Sequence, residues 1–476
     1  MKRCFVIVLM LSGCTTVGPD HREPQVAVPA SYVEPYAGGE ARLERWWRGF
    51  GDAQLAGLVE QALAQNLDLE MAAARIREAR AMEGVAGAGA SPQLAAEASV
   101  TRQRISENAI PAPPGAGGGG GSGFGLPGQE FTTFRAGFDA SWELDLFGRN
   151  KREREAATAR TGAALWNRRD VEVAVAAEVA SAYLRLRTLE GRIANAEAEL
   201  ARRERFEQLV AARARGGLVT GQDLEQQRSE RSAAAAAIPA LQAEAKAQIH
   251  ALGVLTGQAP GALATQLAAP AAGIAPSPPA VPPGLPSELL RRRPDIRAAE
   301  RELAAATADV GVAVADLYPR ISLTAAPALV STALGSLLDW GSRSFSVGGA
   351  LHWPLFDGGR RKANVEVRGA RQEQAMIAYR KAVLTALQDV EDALGRVDGD
   401  RRQLAELELA RTSAGRAEEI ARTRYRGGLV TLSEVLVAQQ RRLSLEEQVI
   451  ETRGALARDT VALVKALGGG WQENEQ

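Results

Sequence analysis

The chain contains 476 residues, which is long enough for two or three domains. Its 57 Lys and Arg residues balance its 57 Asp and Glu residues. The formal net charge is therefore zero, and it does not indicate nucleic acid as a partner. The three His and two Cys lack the spacing of a metal site, and no run of about 20 apolar residues could cross a membrane as a helix.

The N-terminus has the pattern of a secretory signal peptide. Three residues with a basic pair precede a short apolar stretch, and small residues follow immediately before Cys14. The run Leu-Ser-Gly-Cys that ends at Cys14 resembles the lipobox of bacterial lipoproteins. This resemblance implies a covalent lipid on Cys14 and a signal peptide of 13 residues; we expect no other cofactor. Thr15 follows instead of Asp, which favours sorting to the outer membrane; the alternative is an ordinary signal peptide with a chance cysteine.

The sequence is internally duplicated. The run Arg-Gly-Gly-Leu-Val-Thr at residues 215–220 recurs at 426–431, an offset of 211. Upstream, Pro92 corresponds to Pro319 at an offset of 227. A Gly/Pro-rich insert at residues 111–128 of the first half accounts for the change of offset. A Pro/Ala-rich linker connects the halves.

Each half is predicted to contain a helix, two extended segments, a very long helix, a Gly-Gly turn and a final helix. The helices are predicted over residues 52–90, 149–215 and 222–255, and over 287–317, 360–426 and 432–467. Apolar residues of the long helices alternate at spacings of three and four, as in a coiled coil; Val383, Leu387 and Val390 are an example. A helix of about 65 residues is about 100 Å long, which favours a hairpin that spans distance. A plain intramolecular coiled coil is the alternative.

The extended segments alternate between apolar and polar residues. From Phe134 to Leu146 every second residue is apolar, and the intervening side chains are mostly polar or charged. Residues 345–355, 321–329 and 94–100 repeat the pattern, the last most weakly. Each run is about as long as a tilted transmembrane strand, and apolar-out, polar-in alternation is typical of membrane barrels. A half-buried strand in a soluble sheet is the alternative for any one segment.

Four strands cannot close a barrel, and an open sheet edge in lipid leaves backbone groups unpaired. We therefore predict an oligomer in which each copy supplies a sector of the wall. The charged inner face would then line water, which makes Arg135, Asp139, Glu143 and Asp145 the predicted pore-lining residues.

Taken together, six motifs resemble the TolC-like outer membrane factors, in particular the NodT/OprM-like lipoprotein branch of drug-efflux channels. They are the segments at residues 11–14, 17–20, 46–52, 293–296, 353–359 and 466–471. The resemblance covers essentially the whole chain. It implies a homotrimer with four strands per chain in a twelve-stranded membrane β-barrel, and a long α-helical barrel that forms a coiled-coil periplasmic tunnel. It also implies a periplasmic membrane-fusion adaptor and an inner-membrane pump of the RND type as partners.

The resemblance further implies that the two Gly-Gly turns lie at the periplasmic tip and dock the adaptor. The predicted docking residues are Gly216, Gly217, Leu218, Val219, Thr220, Gly427, Gly428, Leu429, Val430 and Thr431. Simple chain reversal is the alternative. In the family an Asp and an Arg near the start of the last helix help to close the tunnel, but here Val437 and Gln440 occupy those positions. Leu432 corresponds to an apolar gate residue that could close the pore by dewetting, and a core role is the alternative.

The predicted function is a passive outer membrane exit duct for small molecules such as drugs, extending from the membrane into the periplasm. No phosphate-binding GxxxxGK[ST] motif and no catalytic motif is present, so we expect a non-enzymatic protein driven by its partners. A duct for one-step (type I) protein secretion and a lipid-anchored coiled-coil spacer are the alternatives. The predicted segments are 1–13 (signal peptide), 14–51 (anchored N-terminal segment), 52–255 (first repeat), 256–286 (linker), 287–467 (second repeat) and 468–476 (tail).

Overall fold

A computed structural model describes residues 15–34, 43–106, 128–268 and 278–471. It is mainly helical, and the described residues include one four-stranded sheet. The chain forms two compact units. The first contains Met1–Arg22, Glu78–Thr161 and Glu302–Ala375, and the second contains Glu23–Arg77, Gly162–Arg301 and Met376–Gln476.

The elements of the two halves correspond to one another, which confirms the duplication. After a 3-10 helix (Trp46–Phe50), the first half contains α1 (Ala53–Gln65), α2 (Leu67–Ala88), β1 (Gln93–Arg104), β2 (Glu130–Leu144), α3 (Arg149–Arg215) and α4 (Gly221–Leu255). The short helix α5 (Ala264–Leu267) follows, and then α6 (Pro286–Arg292), α7 (Pro294–Ala315), β3 (Arg320–Ser331), β4 (Arg343–His352), α8 (Arg360–Arg426) and α9 (Leu432–Ala466). The pairs α3/α8 and α4/α9 begin and end 211 residues apart, and the pairs α2/α7 and β1/β3 are 227 residues apart.

The sheet belongs to the first unit and has the order β1-β2-β3-β4, with every neighbouring pair antiparallel. Gln93 lies opposite Ser141 in the first hairpin, and Arg320 lies opposite His352 in the second. These pairs are equivalent under the repeat, so the two hairpins have the same register.

Each hairpin has a tryptophan close to the end of its second strand, and the two tryptophans make equivalent hydrogen bonds. The indole Nε1 of Trp142 donates to the carbonyl of Ala90 at 3.0 Å. The indole of Trp353 donates to the carbonyl of Leu317, the repeat equivalent, at 3.3 Å. Each strand end is thus fixed to the chain segment that leads into its partner strand.

The second unit has an apolar core in which several of the predicted coiled-coil positions are buried, while others such as Leu387 are half-buried. Val179, Leu186 and Leu189 of α3 and Val383 and Val390 of α8 are each at most 1% exposed. The 3-10 helix and α1 pack into the same core with the side chains of Trp46, Trp47, Phe50, Leu55 and Leu58. The aromatic segment near residue 50 therefore has a packing role in this unit.

The prediction of one unbroken helix over residues 52–90, and of another over 287–317, is wrong. The first is interrupted at Asn66, whose side-chain oxygen accepts hydrogen bonds from the amides of Asp68 and Leu69 at 2.9 and 3.3 Å. The second is interrupted at Arg293, which is extended because a residue before proline disfavours helical backbone. Both breaks sit at equivalent repeat positions.

The broken positions also make equivalent contacts. Asn66 Nδ2 donates to the carbonyl of Leu255 at 2.8 Å, and Arg293 Nη1 donates to the carbonyl of Ala466 at 2.9 Å. Each contact satisfies a carbonyl at the C-terminal end of the last helix of its own half, where four carbonyls lack helical partners.

Two further segments differ from prediction. The region 256–286, predicted as a linker, contains α5, and Leu263 and Leu267 are at most 2% exposed in the core of the second unit. Residues 269–277 of that region lie outside the described part. Strand β4 ends at His352, three residues before the end of the predicted alternating run at 355. In the described segments, no helix combines the length and the apolarity needed to cross a membrane.

Candidate functional site

The sheet separates apolar from polar side chains, as the alternation predicted. Arg135, Asp139 and Glu143 lie at alternate positions of β2 and so share one face of the sheet, where Arg135 and Asp139 approach to 3.9 Å. On the other face large apolar side chains are exposed: Phe138 (53%), Phe345 (81%), Val347 (78%) and Leu351 (64%). A single chain cannot bury this face within the sheet.

Asp145 has a different environment from the other three predicted pore-lining residues. It follows the end of β2, and its carboxylate accepts hydrogen bonds from the backbone amides of Asn150 and Lys151 at 3.1 and 2.8 Å. It therefore caps the first turn of α3, where helix amides lack internal partners.

The outer strands β1 and β4 are the two edges of the sheet. Each of them pairs with only one neighbouring strand. The backbone amide and carbonyl of every second residue therefore point outward, where no strand of this sheet can pair with them. Almost all side chains of β1 and all side chains of β4 are exposed. Such edges normally pair with another chain or are covered.

The two Gly-Gly turns have the same backbone geometry. Gly217 and Gly428 adopt φ of +70° and +72°, which glycine reaches without a steric penalty. The amide of Leu218 donates to the carbonyl of Arg213 at 3.0 Å, and the amide of Leu429 donates to that of Arg424 at 2.9 Å. These are helix C-terminal caps, so the glycines end α3 and α8.

A capping box starts the helix after each turn. Thr220 pairs with Asp223 and Thr431 with Glu434, and each threonine hydroxyl and acidic side chain satisfies the other residue's backbone amide. The turns are thus fixed at both ends. Leu218 and Leu429 nevertheless project outward, each 77% exposed.

An apolar cluster lies directly beneath the turns. This tip cluster consists of Phe206, Val210, Tyr425, Leu432 and Val435, with Val219 and Val430 packed against it. Leu432, predicted as a possible gate residue, is 6% exposed and contributes to this core. Arg213 joins the two turns, because its guanidinium donates to the carbonyls of Tyr425 and Arg426 at 3.3 and 3.0 Å.

The other two predicted gate residues are on the surface of α9. Val437 is 68% exposed, and Gln440 is also exposed. Val437 lines a groove of about 490 Å³ between α8 and α9, together with three alanines of α8 and with Glu434 and Arg441 of α9. Neither Val437 nor Gln440 makes an ion pair, so these positions do not supply an ionic lock.

The four long helices also share a network of buried charged residues, which was not predicted from the sequence. Its members on α8 and α9 lie within a few helical turns of the tip cluster. Arg442 of α9 contacts Glu418 of α8, Glu446 of α9 and Glu199 of α3, the last at 2.7 Å. Arg203 extends the network from Glu199 to Glu230 of α4, at 2.9 and 2.7 Å. All four long helices therefore share one set of charges.

The network also raises the pKa of its central residue, Arg442. Burial by itself would lower the pKa of Arg442, but the hydrogen bond to Glu446 and the charges of Glu418 and Glu199 outweigh it and raise the pKa. The guanidinium thus stays charged in an environment that is largely closed to water. Helical periodicity gave no sign of this, because the partners lie far apart in sequence.

A carboxylate pair lies between α8 and α9 farther from the turns. Burial and, after it, the neighbouring carboxyl of Asp459 together raise the pKa of the Asp400 carboxyl to about 6, although Arg458 and Arg396 oppose the rise. No group of three or more metal-ligating side chains occurs among the described residues.

The predicted lipid site Cys14 lies outside the described residues, but the segment after it is held firmly. Arg152 donates to the carbonyls of Val17 and Gly18 at 3.1 and 3.3 Å and to the Asp20 carboxylate at 2.7 Å. Gly18 has φ of +87°, and a Cβ there would lie 2.5 Å from the Cα of Gly311. We call residues 16–20 the N-terminal strap.

Comparison with known proteins supports one family. The family model described as outer membrane efflux protein matches residues 58–258 and 285–469. The chain is 33% identical to the pyoverdine export outer membrane protein OpmQ of Pseudomonas aeruginosa, over 98% of this chain and 96% of that protein. It is 34% identical to the outer membrane protein OprJ of the same species, over 98% and 95%. The solved structure of the outer-membrane channel OprN matches with a TM-score of 0.86 at 33% identity, covering 96% of this chain and 99% of that chain.

Proposed function

Because the chain belongs to the outer membrane efflux protein family, we propose that it is the outer membrane exit duct of a tripartite efflux system. The duct carries small molecules from the periplasm to the exterior, is anchored by a lipid on Cys14, and catalyses no reaction. A periplasmic membrane-fusion adaptor and an inner-membrane pump of the RND type supply the cargo and the energy.

One observation carries this proposal: the four strands form an amphipathic sheet with two free edges. In lipid each unpaired backbone group costs several kcal/mol, so the edges must pair with other copies. Three copies would make a twelve-stranded barrel whose apolar face meets lipid and whose polar face lines water. Arg135, Asp139 and Glu143 are then wall residues of the aqueous pore, and Asp145 stands at its base.

The test is to purify the protein from outer membranes, measure its native mass and record its conductance in a planar bilayer. We expect the mass of three copies and discrete conductance steps. Leu432→Ala, which loosens the tip cluster, should be recorded beside the wild type, since a closed tip would reduce the wild-type current. A monomeric mass, or silence of both proteins, would contradict the proposal.

We further propose that the two Gly-Gly turns dock the adaptor. The support is their rigid geometry together with the outward position of Leu218 and Leu429, whose exposed apolar surface has no role inside the chain. Exposed apolar side chains on a fixed turn suit a protein interface.

Leu218→Glu combined with Leu429→Glu tests the docking proposal. Both side chains are exposed, so the native mass should not change, whereas export and cross-linking to the adaptor should fall at least tenfold. Leu409→Glu is the matched control, because Leu409 is 65% exposed on α8 and away from the turns. Unchanged export in the double variant would refute docking at the turns.

For the gate we propose an apolar constriction at Val437 instead of an ionic lock. The support is the exposure of Val437 in the groove between α8 and α9, and the lack of charge at residues 437 and 440. Leu432 would contribute indirectly, by holding the tip cluster. Val437→Ser should raise conductance at rest, and an unchanged current would rule this residue out as a constriction.

A further inference from the structure

The register of the duplicated sheet predicts how two copies join, an inference that rests on the proposed function. Within the chain β2 pairs with β3, and the pair Ser141–Thr324 belongs to that junction. Among the described strands, the junction left unmade within one chain is the one between the free edges β4 and β1. A ring needs that junction at every boundary between copies.

The repeat relates the two junctions. Strand β4 is the counterpart of β2 at an offset of 211, and β1 is the counterpart of β3 at an offset of 227. The two hairpins already have identical register, so the equivalence holds at the level of single residue pairs. Transferring the Ser141–Thr324 pair by these offsets places His352 of one copy opposite Glu97 of the next.

The direction of the strands permits this pairing. All three junctions within the chain are antiparallel, so β4 and the β1 of a second copy also run in opposite directions. The transferred register extends from His352–Glu97 to Phe345–Arg104. It pairs Gly349 with Val100, a residue without a side chain against a branched one.

The chemistry of the pair fits its position. Glu97 shares the polar face of the sheet with Gly137, its partner in β2, and His352 shares that face with Arg320. Both side chains are exposed, and neither has a hydrogen-bond or ion-pair partner in the described part of the chain. A carboxylate directly opposite an imidazole is a favourable cross-strand pair.

Other registers lose this complementarity. A shift of one residue places His352 opposite Ala96 or Ala98 and turns every side chain of the edge strand to the opposite face. A shift of two residues places it opposite Ala95 or Ser99, and Glu97 then lies opposite Ala350 or beyond the end of β4. We propose that His352 of one copy and Glu97 of the next form a water-facing pair at each subunit boundary, with the register transferred from β2–β3.

Disulfide trapping in the full-length protein tests the pair. Residues directly opposite in antiparallel strands are about 4.5–5.5 Å apart, which is within disulfide range. Glu97→Cys combined with His352→Cys should give a cross-linked trimer on a non-reducing gel, and reduction should reverse it. Each single variant, and the parent protein with Cys14, should give no such band.

A shifted pair serves as the matched control. Ser99→Cys with His352→Cys tests a register displaced by two residues, and it should cross-link at least fivefold more slowly. Faster cross-linking of the shifted pair would overturn the register, and so would a trimeric native mass with no cross-link at either pair. A monomeric mass would instead refute the proposed oligomeric duct itself.

Charge reversal provides a test that does not depend on cysteine. His352→Glu places two carboxylates opposite one another and should lower the temperature at which the oligomer dissociates. Adding Glu97→His to the same chain should restore it. Failure of the second substitution to rescue the first would show that the two residues are not partners, which would overturn the proposal.

Discussion

Charged side chains are buried near the helical tip only where several partners surround them. Arg442 is 7% exposed and meets three carboxylates from α3, α8 and α9. Removing one member of such a set leaves the others desolvated and unpaired, which costs more than the pair contributed. The network therefore makes the relative position of these helices specific as well as stable.

Replacing Arg442 by Met should destabilise the protein by about 3–5 kcal/mol, because Glu199 and Glu418 would remain buried without their partner. The measurement is the free energy of unfolding of the detergent-solubilised protein in guanidinium chloride. Arg402→Met is the control: the Arg402 side chain is 78% exposed beside Asp398, so its loss should cost no more than about 1 kcal/mol. Equal losses for both variants would contradict the interpretation.

Asp400 should make stability depend on pH. Its folded-state pKa of about 6 lies above the ordinary value of 3.8, so between these values the folded state binds more protons than the unfolded state. Stability should therefore fall as the pH rises from about 4 to 6.5, by no more than about 1 kcal/mol, since solvent screens the pair.

Asp400→Asn should remove that fall, and melting temperatures across this pH range provide the measurement. Asp398→Asn is the matched control, since its carboxylate is paired with Arg402 at 2.6 Å. A wild-type melting temperature that stays constant or rises over this range, relative to Asp400→Asn, would be inconsistent with a raised pKa.

Interactions between residues close together in the sequence could be predicted, whereas interactions between residues far apart could not. Gly217 and Gly428 could be assigned to turns that end helices because their roles depend on neighbours within four residues. Arg442 and Glu199 are 243 residues apart, so no local pattern could pair them. Leu432 illustrates the middle case: its apolar character was clear, but its burial in the tip cluster required the structure.

Among the elements, the N-terminal strap links the predicted lipid site to the first unit. Three of its hydrogen bonds come from one residue, Arg152, whose side chain is 5% exposed, while Lys151 donates to Thr16 and the amide of Val17 donates to the carbonyl of Phe147. The same guanidinium holds the pKa of the Asp20 carboxyl below its usual value, through a hydrogen bond and its charge. The strap therefore depends on α3 for its position.

Arg152→Ala should release the strap, because three hydrogen bonds are lost at once. We expect faster amide exchange at Val17 and faster proteolysis of residues 15–20, with the sheet unaffected. Lys151→Ala is the control, since Lys151 supplies a single bond to Thr16 at 3.1 Å. Equal protection of the strap in both variants would show that the Gly18–Gly311 contact holds it instead.

The long elements were predicted closely, and their interruptions were not. The predicted bounds of 149–215 and 360–426, whose ends were set by the Gly-Gly pairs that follow, match α3 and α8. The break at Asn66 depends on its side chain replacing two helical bonds, a choice that residue type alone does not decide. Helix α5 was missed because its leucines are buried by parts of the chain distant in sequence.

For the whole molecule, the duplication determines which parts of the sheet can vary. The connection between β1 and β2 covers residues 105–129, whereas that between β3 and β4 covers only 332–342, and yet the two hairpins share one register. The register is therefore set by the strands and not by the length of the connection.

Deleting residues 112–125 should leave the native mass and the conductance unchanged, because it makes the first connection as long as the second, and longer loops add little entropy. Deleting Ala96 alone is the control. It turns one part of β1 to the opposite face, and should abolish assembly. Loss of assembly on the longer deletion would show that the insert takes part in it.

The alternating directions of β1 to β4 have a consequence for assembly size. Because the first and last strands of each copy are antiparallel to one another, a closed ring of two, three or four copies would satisfy the backbone equally well. Backbone hydrogen bonding in the sheet therefore does not determine the number of subunits. Stoichiometry has to be selected by the angle at which neighbouring wedges of side chains fit, so substitutions that change side-chain volume at the boundary are where altered ring sizes should arise.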